Sequence, residues 1–421
     1  MTTLIENILA RASGKKSAAP GDVVVAEVDG MVMHEISGYL TTRLYDEKIG
    51  RPIKNPERLH MVFDHIFSPP REHEAEMLKA DRAWARKNAI NLYDCGSGNI
   101  HNAVLQAGAI GPGMVLVGSD SHTPVYGAMG AFAAALGNDS HAGTVFPYSK
   151  AWFKVPSTIR INLHGELAPG TTPRDIALWL VAQIGEGGTV YKALEFGGPF
   201  IEGLSLFDRW LFPLINVDVG AKCSYIVPDQ KVFDFAEKVG AMGAWRDLDI
   251  PKTTDADFEK TLDFDISNVG PQIACPPTVG NVKDARLVAG ETIHYAELGG
   301  HGGGRIEDIR TAAKVFENAS VNPQVRFNIV PSSRNAFADA LKEGLVEKLH
   351  NAGALWFPPS TGSNQAVNMG ALADGEAMIS THSRNFPGRN GSPLAKMYLA
   401  SAHTVAASAK AGHIVDVRED A

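Results

Sequence analysis

Gly113-Met114-Val115-Leu116-Val117-Gly118-Ser119-Asp120-Ser121-His122-Thr123 is a short apolar run that breaks into a polar cluster. Its first six residues read as a buried strand, because the run is short, continuous and bounded by glycine. The polar cluster then sits at the strand's carboxyl end. The same arrangement occurs twice upstream. Met61-Val62-Phe63 delivers Asp64-His65, and Ile90-Asn91-Leu92-Tyr93-Asp94 ends in Cys95-Gly96-Ser97-Gly98-Asn99-Ile100-His101. Ligands of α/β sheets bind at the carboxyl ends of strands, so three strands that each deliver a histidine mark both the fold class and the place of the site.

Outward from these strands, helical and extended stretches alternate. Residues 72–87 are polar and helix-prone, and residues 127–136 are small and apolar, which predicts a helix packed closely on the sheet. Residues 172–184 open with Thr-Pro and read as a helix, as do 335–352 and the Ala-rich 400–411. Residues 21–29, 155–163, 191–196, 324–330, 353–357, 376–381 and 413–417 read as strands, and the acidic stretch 253–265 as a connection. The class is α/β with several parallel sheets. A chain of 421 residues exceeds one ordinary core, and the boundaries expected are 1–153, 154–275 and 276–421.

Net charge is −8 and charged residues make up 20%, with no Lys/Arg run, so nucleic acid is not an expected partner. No apolar run reaches ~18 residues, and no membrane span is expected. Met1-Thr2-Thr3-Leu4-Ile5-Glu6 lacks the charged-then-apolar pattern of a signal peptide, and a cytoplasmic protein is expected. The three cysteines, Cys95, Cys223 and Cys275, are widely spaced without a C-x-x-C. That spacing argues against a disulfide framework and against a conventional cysteine-held zinc or iron–sulfur site.

Leu298-Gly299-Gly300-His301-Gly302-Gly303-Gly304-Arg305 places five glycines around one imidazole, ahead of a predicted helix. It reads as an anion-binding loop with a histidine tip, or as a flexible turn. Candidate site residues are then Asp64, His65, His101, Asp120, Ser121, His122, His301, Arg384 and Arg389. Histidines near carboxylates suit proton transfer around neutral pH. Arg384 and Arg389 share one Gly/Pro loop and suit bidentate capture of carboxylates.

Residues 117–123, with Gly127-Ala128-Met129-Gly130-Ala131 behind them, resemble the D-S-H segment of the aconitase superfamily, nearest its branch of 3-isopropylmalate dehydratase large subunits. Phe63-Asp64-His65, Gly96-Ser97-Gly98-Asn99-Ile100-His101 and Ser383-Arg384-Asn385-Phe386-Pro387-Gly388-Arg389 match its other motifs in order, and residues 411–418 resemble its C-terminal end. The resemblance spans essentially the whole chain. It implies an aconitase-like fold of three α/β/α domains, with largely parallel sheets, around a central cleft. It also implies reversible dehydration of hydroxy di- and tricarboxylic acids. Asp64, His65, His101, Asp120 and His122 would be polar and acid/base residues, with Ser121, Arg384 and Arg389 on substrate. Glu195, in Leu194-Glu195-Phe196-Gly197-Gly198-Pro199, resembles a further acidic position of the site.

One departure is large. The family holds a four-iron cluster through a cysteine in a G-S-C-T-N-x-R loop and two in a C-x-x-C loop. Here His301 takes the first position, and Thr361 and Asn364 take the others, where they are expected to bind substrate. Without thiolates a [4Fe-4S] cluster is not expected. No cofactor is expected at all, with a mononuclear divalent metal at His301 as the alternative. The chain also stops where the large subunit stops, so a separate small swivel-domain subunit is an expected partner beside a small polycarboxylate substrate. Three readings follow. The leading one is a cluster-free isomerase that deprotonates an aconitate-like acid, as in cis–trans aconitate isomerisation. The second is a hydro-lyase of the 3-isopropylmalate or aconitate dehydratase type, using a mononuclear metal or the small subunit. The third is a non-catalytic carboxylate-binding subunit.

Overall fold

The computed structural model describes residues 2–420, apart from the side chains of residues 419 and 420. Met1, at the head of the stretch inspected for a signal peptide, lies outside them. Among the strands, β1 (Val23–Glu27) is followed almost at once by β2 (Gly30–His34), whose residues are apolar on both faces until His34. A strand apolar on both faces belongs inside a parallel sheet covered on both sides. β2 is accordingly the middle of a five-stranded sheet with β3 (Leu59–Val62), β4 (Asn91–Tyr93), β5 (Val115–Gly118) and β6 (Phe132–Ala135). The order is β4-β3-β2-β5-β6, and every pairing is parallel. β1 instead pairs antiparallel with β7 (Lys150–Lys154) in a ribbon.

The second sheet contains β8 (Thr158–His164), β9 (Ala193–Gly197), β10 (Cys223–Ile226) and β11 (Lys260–Asp265), in the parallel order β10-β9-β8-β11. The third contains β12 (Gln272–Ala274), β13 (Val282–Asp284), β14 (Tyr295–Leu298), β15 (Arg326–Ile329), β16 (Leu355–Trp356), β17 (Ala377–Ser380) and β18 (Lys396–Leu399). Its order is β13-β12-β18-β17-β14-β15-β16, antiparallel only where β12 meets β13 and β18. Helices Ile306–Val315 and Ala402–Ala411 bury Ile309, Ala312, Val405 and Ala409 against this sheet. The chain is thus an α/β protein of several largely parallel sheets, and β12 starts before residue 276, ahead of the boundary drawn from sequence.

Residues 413–417, expected as a strand, make only one bridge, His413 to Thr292, before the 3-10 turn Val417–Asp420, and three further stretches differ from expectation for local reasons. Residues 127–136 were expected to be helical. Instead a 3-10 turn, Thr123–Met129, ends at Gly130 with φ +73°, and Phe132–Ala135 then extends along β5. The acidic connection contains β11, whose polar side chains are tolerated because it is an edge strand. Residues 335–352 split into Arg334–Lys342 and Leu345–Asn351 at Gly344, φ +69°.

The 3-10 turn is also where the first sheet meets the second. A Cβ on Gly127 would lie 1.7 Å from the Ser224 carbonyl oxygen of β10. Gly127→Ala therefore forces two backbones apart, and overpacking of this kind costs about 1–3 kcal/mol or more. Urea unfolding should show that loss, whereas Gly143→Ala, with nothing within 4 Å of its added Cβ, should stay within about 0.5 kcal/mol of the parent. Equal midpoints for the two variants would contradict the packing described.

Candidate active site

Each candidate side chain is placed by the end of a strand. His65 follows β3, Asp120 and His122 follow β5, and His301 follows β14. His101 sits in the first turn of helix Ile100–Gln106, which Asn99 caps by accepting from the Asn102 N–H. The carboxyl ends of the first and third sheets are stitched to each other. The Asn99 N–H donates to the Ser332 carbonyl at 2.9 Å, and the Asn99 side chain donates to the Gly300 carbonyl at 3.1 Å. Gly98, at φ +133°, makes this approach feasible, because a Cβ there would lie 2.6 Å from the Ser332 oxygen.

At the junction, three imidazoles surround the Asp120 carboxylate, and a fourth, His65, stands beside them. Asp120 Oδ1 accepts from the His122 backbone N–H at 2.7 Å, and lies 3.2 Å from His101 Nε2 and 3.3 Å from His122 Nδ1. His301 Nδ1 lies 3.2 Å from His122 Nδ1. The His301 ring is 4.9 Å from those of His101 and His122 and 5.8 Å from that of His65. All of these residues are buried, and the Nε2 atoms of His122 and His301 have no hydrogen-bond partner.

Burial and neighbours set opposite charge states around this centre. Burial pushes His122 down to about 4 and His301 well below the ordinary imidazole value, so both rings are neutral. Burial would raise Asp120, but His301, His101 and His122 hold its carboxyl well below the usual carboxylate range. Burial would also lower His65, yet the Asp64 carboxylate, with Glu35 behind it, raises it to about 9. Asp64 Oδ1 contacts His65 Nδ1 at 2.8 Å, and Oδ2 accepts from the Ile100 N–H at 2.7 Å. Asp64 is thus fully occupied in orienting His65 and the helix that carries His101.

Arg384 and Arg389, both half-buried, stand on the loop after β17. Arg384 donates to Ser121 Oγ at 3.0 Å, and Arg389 donates to the Asn364 amide oxygen. The Asn364 amide nitrogen lies 3.1 Å from His65 Nε2. Asn364 and Ser121 therefore stand beside the arginines. Thr361 does not face substrate: its N–H and hydroxyl both donate to the Asp64 carbonyl, at 3.1 and 2.9 Å. Glu195 is not at the junction either. It lies inside the second sheet, paired with Arg160 on the neighbouring strand and flanked by Tyr225.

The glycine loop does not form an anion cradle. Added Cβ atoms on Gly302, Gly303 and Gly304 would meet Arg174 at 2.0 Å, Thr381 at 1.9 Å and the Val330 carbonyl at 2.1 Å. Its glycines make room for protein atoms rather than for a ligand. The helix that follows is capped internally, with Asp308 accepting the Arg305 N–H at 3.1 Å. What the loop achieves is the placement of His301.

Some neighbours of the site were not anticipated. His34 stacks 4.4 Å from His65, and Glu35 accepts the Asp64 N–H at 3.1 Å. His34 ends β2 and Glu35 follows it, and the strand-end rule would have flagged them had β2 been recognised. Tyr126 lies 3.2 Å from His101 Nδ1. Behind the loops, Glu297 accepts from Tyr295 at 2.7 Å and from the Ser363 N–H at 3.0 Å, and lies 2.7 Å from His382 Nε2. No local sequence signal distinguishes these from ordinary core polar residues.

Comparison with known proteins adds the family. The model of the Aconitase family (aconitate hydratase) matches residues 8–412. The 3-isopropylmalate dehydratase large subunit 1 of Methanopyrus kandleri is 37% identical over 418 residues, covering 99% of each chain. A probable methanogen homoaconitase large subunit of Methanothermobacter thermautotrophicus is 35% identical over 423 residues, covering 99% of this chain and 98% of its own. The crystal structure of Thermococcus kodakaraensis aconitase X (holo-form) superposes with a TM-score of 0.50 at 11% identity, over 85% of this chain and 84% of that one, and supports the fold.

These relatives overturn the expectation that no cofactor is needed, because a four-iron cluster comes with the dehydratase resemblance that they establish. The residues of this chain do not fit a cluster held by three thiolates. At the positions concerned stand His301, Thr361, spent on the Asp64 carbonyl, and Asn364, spent on Arg389 and His65. The cysteines lie elsewhere, with burial raising the Cys95 and Cys223 thiols to about 12. No chemical step below is routed through such a cluster. With a family match over residues 8–412 and 37% identity along essentially its whole length to a dehydratase large subunit, the chain belongs to the Aconitase family (aconitate hydratase), a family of enzymes.

Proposed function

We propose that the chain is the large subunit of a hydro-lyase that reversibly removes water from a hydroxy dicarboxylic or tricarboxylic acid of the 3-isopropylmalate or homocitrate type. The observation that carries this reading is the convergence of two arginines, Arg384 and Arg389, with a His65 raised to about 9 beside the buried, neutral imidazoles of His122 and His301. Relatives named as dehydratase and homoaconitase favour this over cis–trans isomerisation, which was the leading expectation. They also favour it over a non-catalytic carboxylate binder.

The chemistry assigns Arg384 and Arg389 to the substrate carboxylates, by charge-assisted and bidentate contacts. A base takes the proton from carbon, and the electrons of that bond form the double bond. The C–O bond breaks with its pair going to oxygen, and His65 protonates that oxygen, so that water leaves. After the transfer, the neutral His65 ring can accept from the Asn364 amide nitrogen at 3.1 Å. Groups whose environments push their pKa values apart are the usual mark of acid/base assignment. The carbon base is assigned to a separate small subunit closing over the two arginines, as the large-subunit relatives suggest. Among the described residues no helix is long and apolar enough to cross a membrane, and three free thiols suit the reducing cytoplasm, where we place the enzyme.

Co-expression with the small subunit, and assay of 2- and 3-isopropylmalate, homocitrate and citrate by alkene absorbance, tests the reading. Turnover of at least one by the pair is expected; turnover of none contradicts it. His65→Gln should lower kcat by about 10²–10⁴, the usual worth of a general acid. Because its folded pKa is raised, His65 is charged below about 9, so dehydration should fall as pH rises through that value. A His65→Gln enzyme that keeps this alkaline limb would assign the limb elsewhere. Arg389→Ala should raise KM roughly ten- to hundredfold, the equivalent of one lost charge-assisted hydrogen bond, with a smaller effect on kcat.

A further inference from the structure

Two groups of side chains at the junction have metal-ligating chemistry: His101, Asp120, His122 and His301, and separately His34, Glu35 and His65. The second is already spent. His65 faces Asp64 with one nitrogen and Asn364 with the other, and Glu35 accepts the backbone N–H groups of Asp64 and Ile66. The side chains of the first group contact chiefly one another, with the Tyr126 hydroxyl behind His101. The group's four donor atoms all lie within 4.8 Å of one another, and the closest contacts are 3.2, 3.2 and 3.3 Å.

Three of the six separations among these donors already match those around a coordinated ion, and the others lie within 4.8 Å. Nitrogen and oxygen ligands about 2.0–2.1 Å from a tetrahedral centre stand roughly 3.3–3.4 Å from each other. Between two neutral imidazoles, by contrast, one Nδ1 can donate to the other only once, and Asp120 Oδ1 already has the His122 backbone N–H. The Nε2 atoms of His122 and His301, on the far side of each ring from these contacts, have no hydrogen-bond partner, so neither ring is committed elsewhere. Buried polar groups of that kind ordinarily find a partner. Charge agrees as well. The four donors carry one negative charge, on Asp120, so a divalent ion leaves a net positive centre facing a carboxylate substrate. Around it, the Tyr126 hydroxyl lies 3.2 Å from the far nitrogen of His101 and orients that ring, as outer-shell partners of ligating histidines do.

We infer that His101, Asp120, His122 and His301 ligate a first-row divalent transition-metal ion, of the zinc, iron or cobalt type. Imidazole with one carboxylate selects such ions over magnesium and calcium, which prefer all-oxygen sites. His301, at the position where a thiolate is expected, is then a ligand of a different chemical class rather than a lost one. In the dehydratase reading, on which its chemistry but not its existence depends, the ion polarises the hydroxyl that leaves.

The test uses the full chain, purified with and without its small subunit. Elemental analysis should find bound zinc or iron. After chelation, added cobalt(II) should restore a metal site visible by its absorption bands and by a rise in Tm. His301→Gln and Asp120→Asn, checked for native circular dichroism, should weaken cobalt affinity at least tenfold. His73→Ala, on an exposed helix surface, should not. Cobalt that leaves the wild-type melt and spectrum unchanged overturns the inference, as does iron bound with sulfide and unaffected by His301→Gln. Metal binding without turnover of any hydroxy acid upholds the site and removes the dehydratase reading; turnover by a chain free of metal at this site does the reverse.

Discussion

A single buried carboxylate sits at the junction between the first and third sheets. Asp120 has three imidazoles within reach and one backbone N–H at 2.7 Å, and is held ionised where burial alone would neutralise it. An isolated carboxylate in such surroundings would be costly, so the histidines that surround Asp120 are a condition of its being there. The loops at the strand ends bring these rings together. Two come from the first sheet and the third, His301, crosses from the other. The geometry of the site is therefore fixed only while the sheets stay docked.

The docking is achieved by close backbone approach and buried polar bonds. Gly98 lies against Ser332, Thr361 is tied to Asp64, and Asn99 to Gly300. Behind them Glu297 collects Tyr295, Ser363 and His382, holding the loops after β14, β16 and β17 in one arrangement. These contacts explain why a loop with five glycines is ordered rather than loose. Each small residue is small because a side chain or carbonyl occupies the space.

The α/β class and most of the site were legible in the sequence because strand-end polar clusters are a local pattern. His65, His101, Asp120, His122, Arg384 and Arg389 all lie where that pattern puts them. What was not legible depends on contacts between distant residues. Glu195 looked like a site residue by its motif, yet its carboxylate is taken by Arg160 on the adjacent strand. Thr361 looked like a ligand to substrate, yet it braces Asp64. β2 was not evident from periodicity because its residues are apolar on both faces, although Asp29-Gly30 ahead of it is a turn signal, and with it went His34 and Glu35. The cofactor expectation failed for a related reason: it counted missing cysteines, whereas the family relation rests on the whole chain.

In the proposed dehydratase large subunit, nitrogen and oxygen donors would occupy the place where the family uses sulfur. X-ray absorption at the edge of the metal found in the purified chain addresses that claim most directly. The account predicts a first shell of nitrogen and oxygen at about 2.0–2.1 Å with the multiple scattering of imidazole. A first shell dominated by sulfur at about 2.3 Å would contradict it.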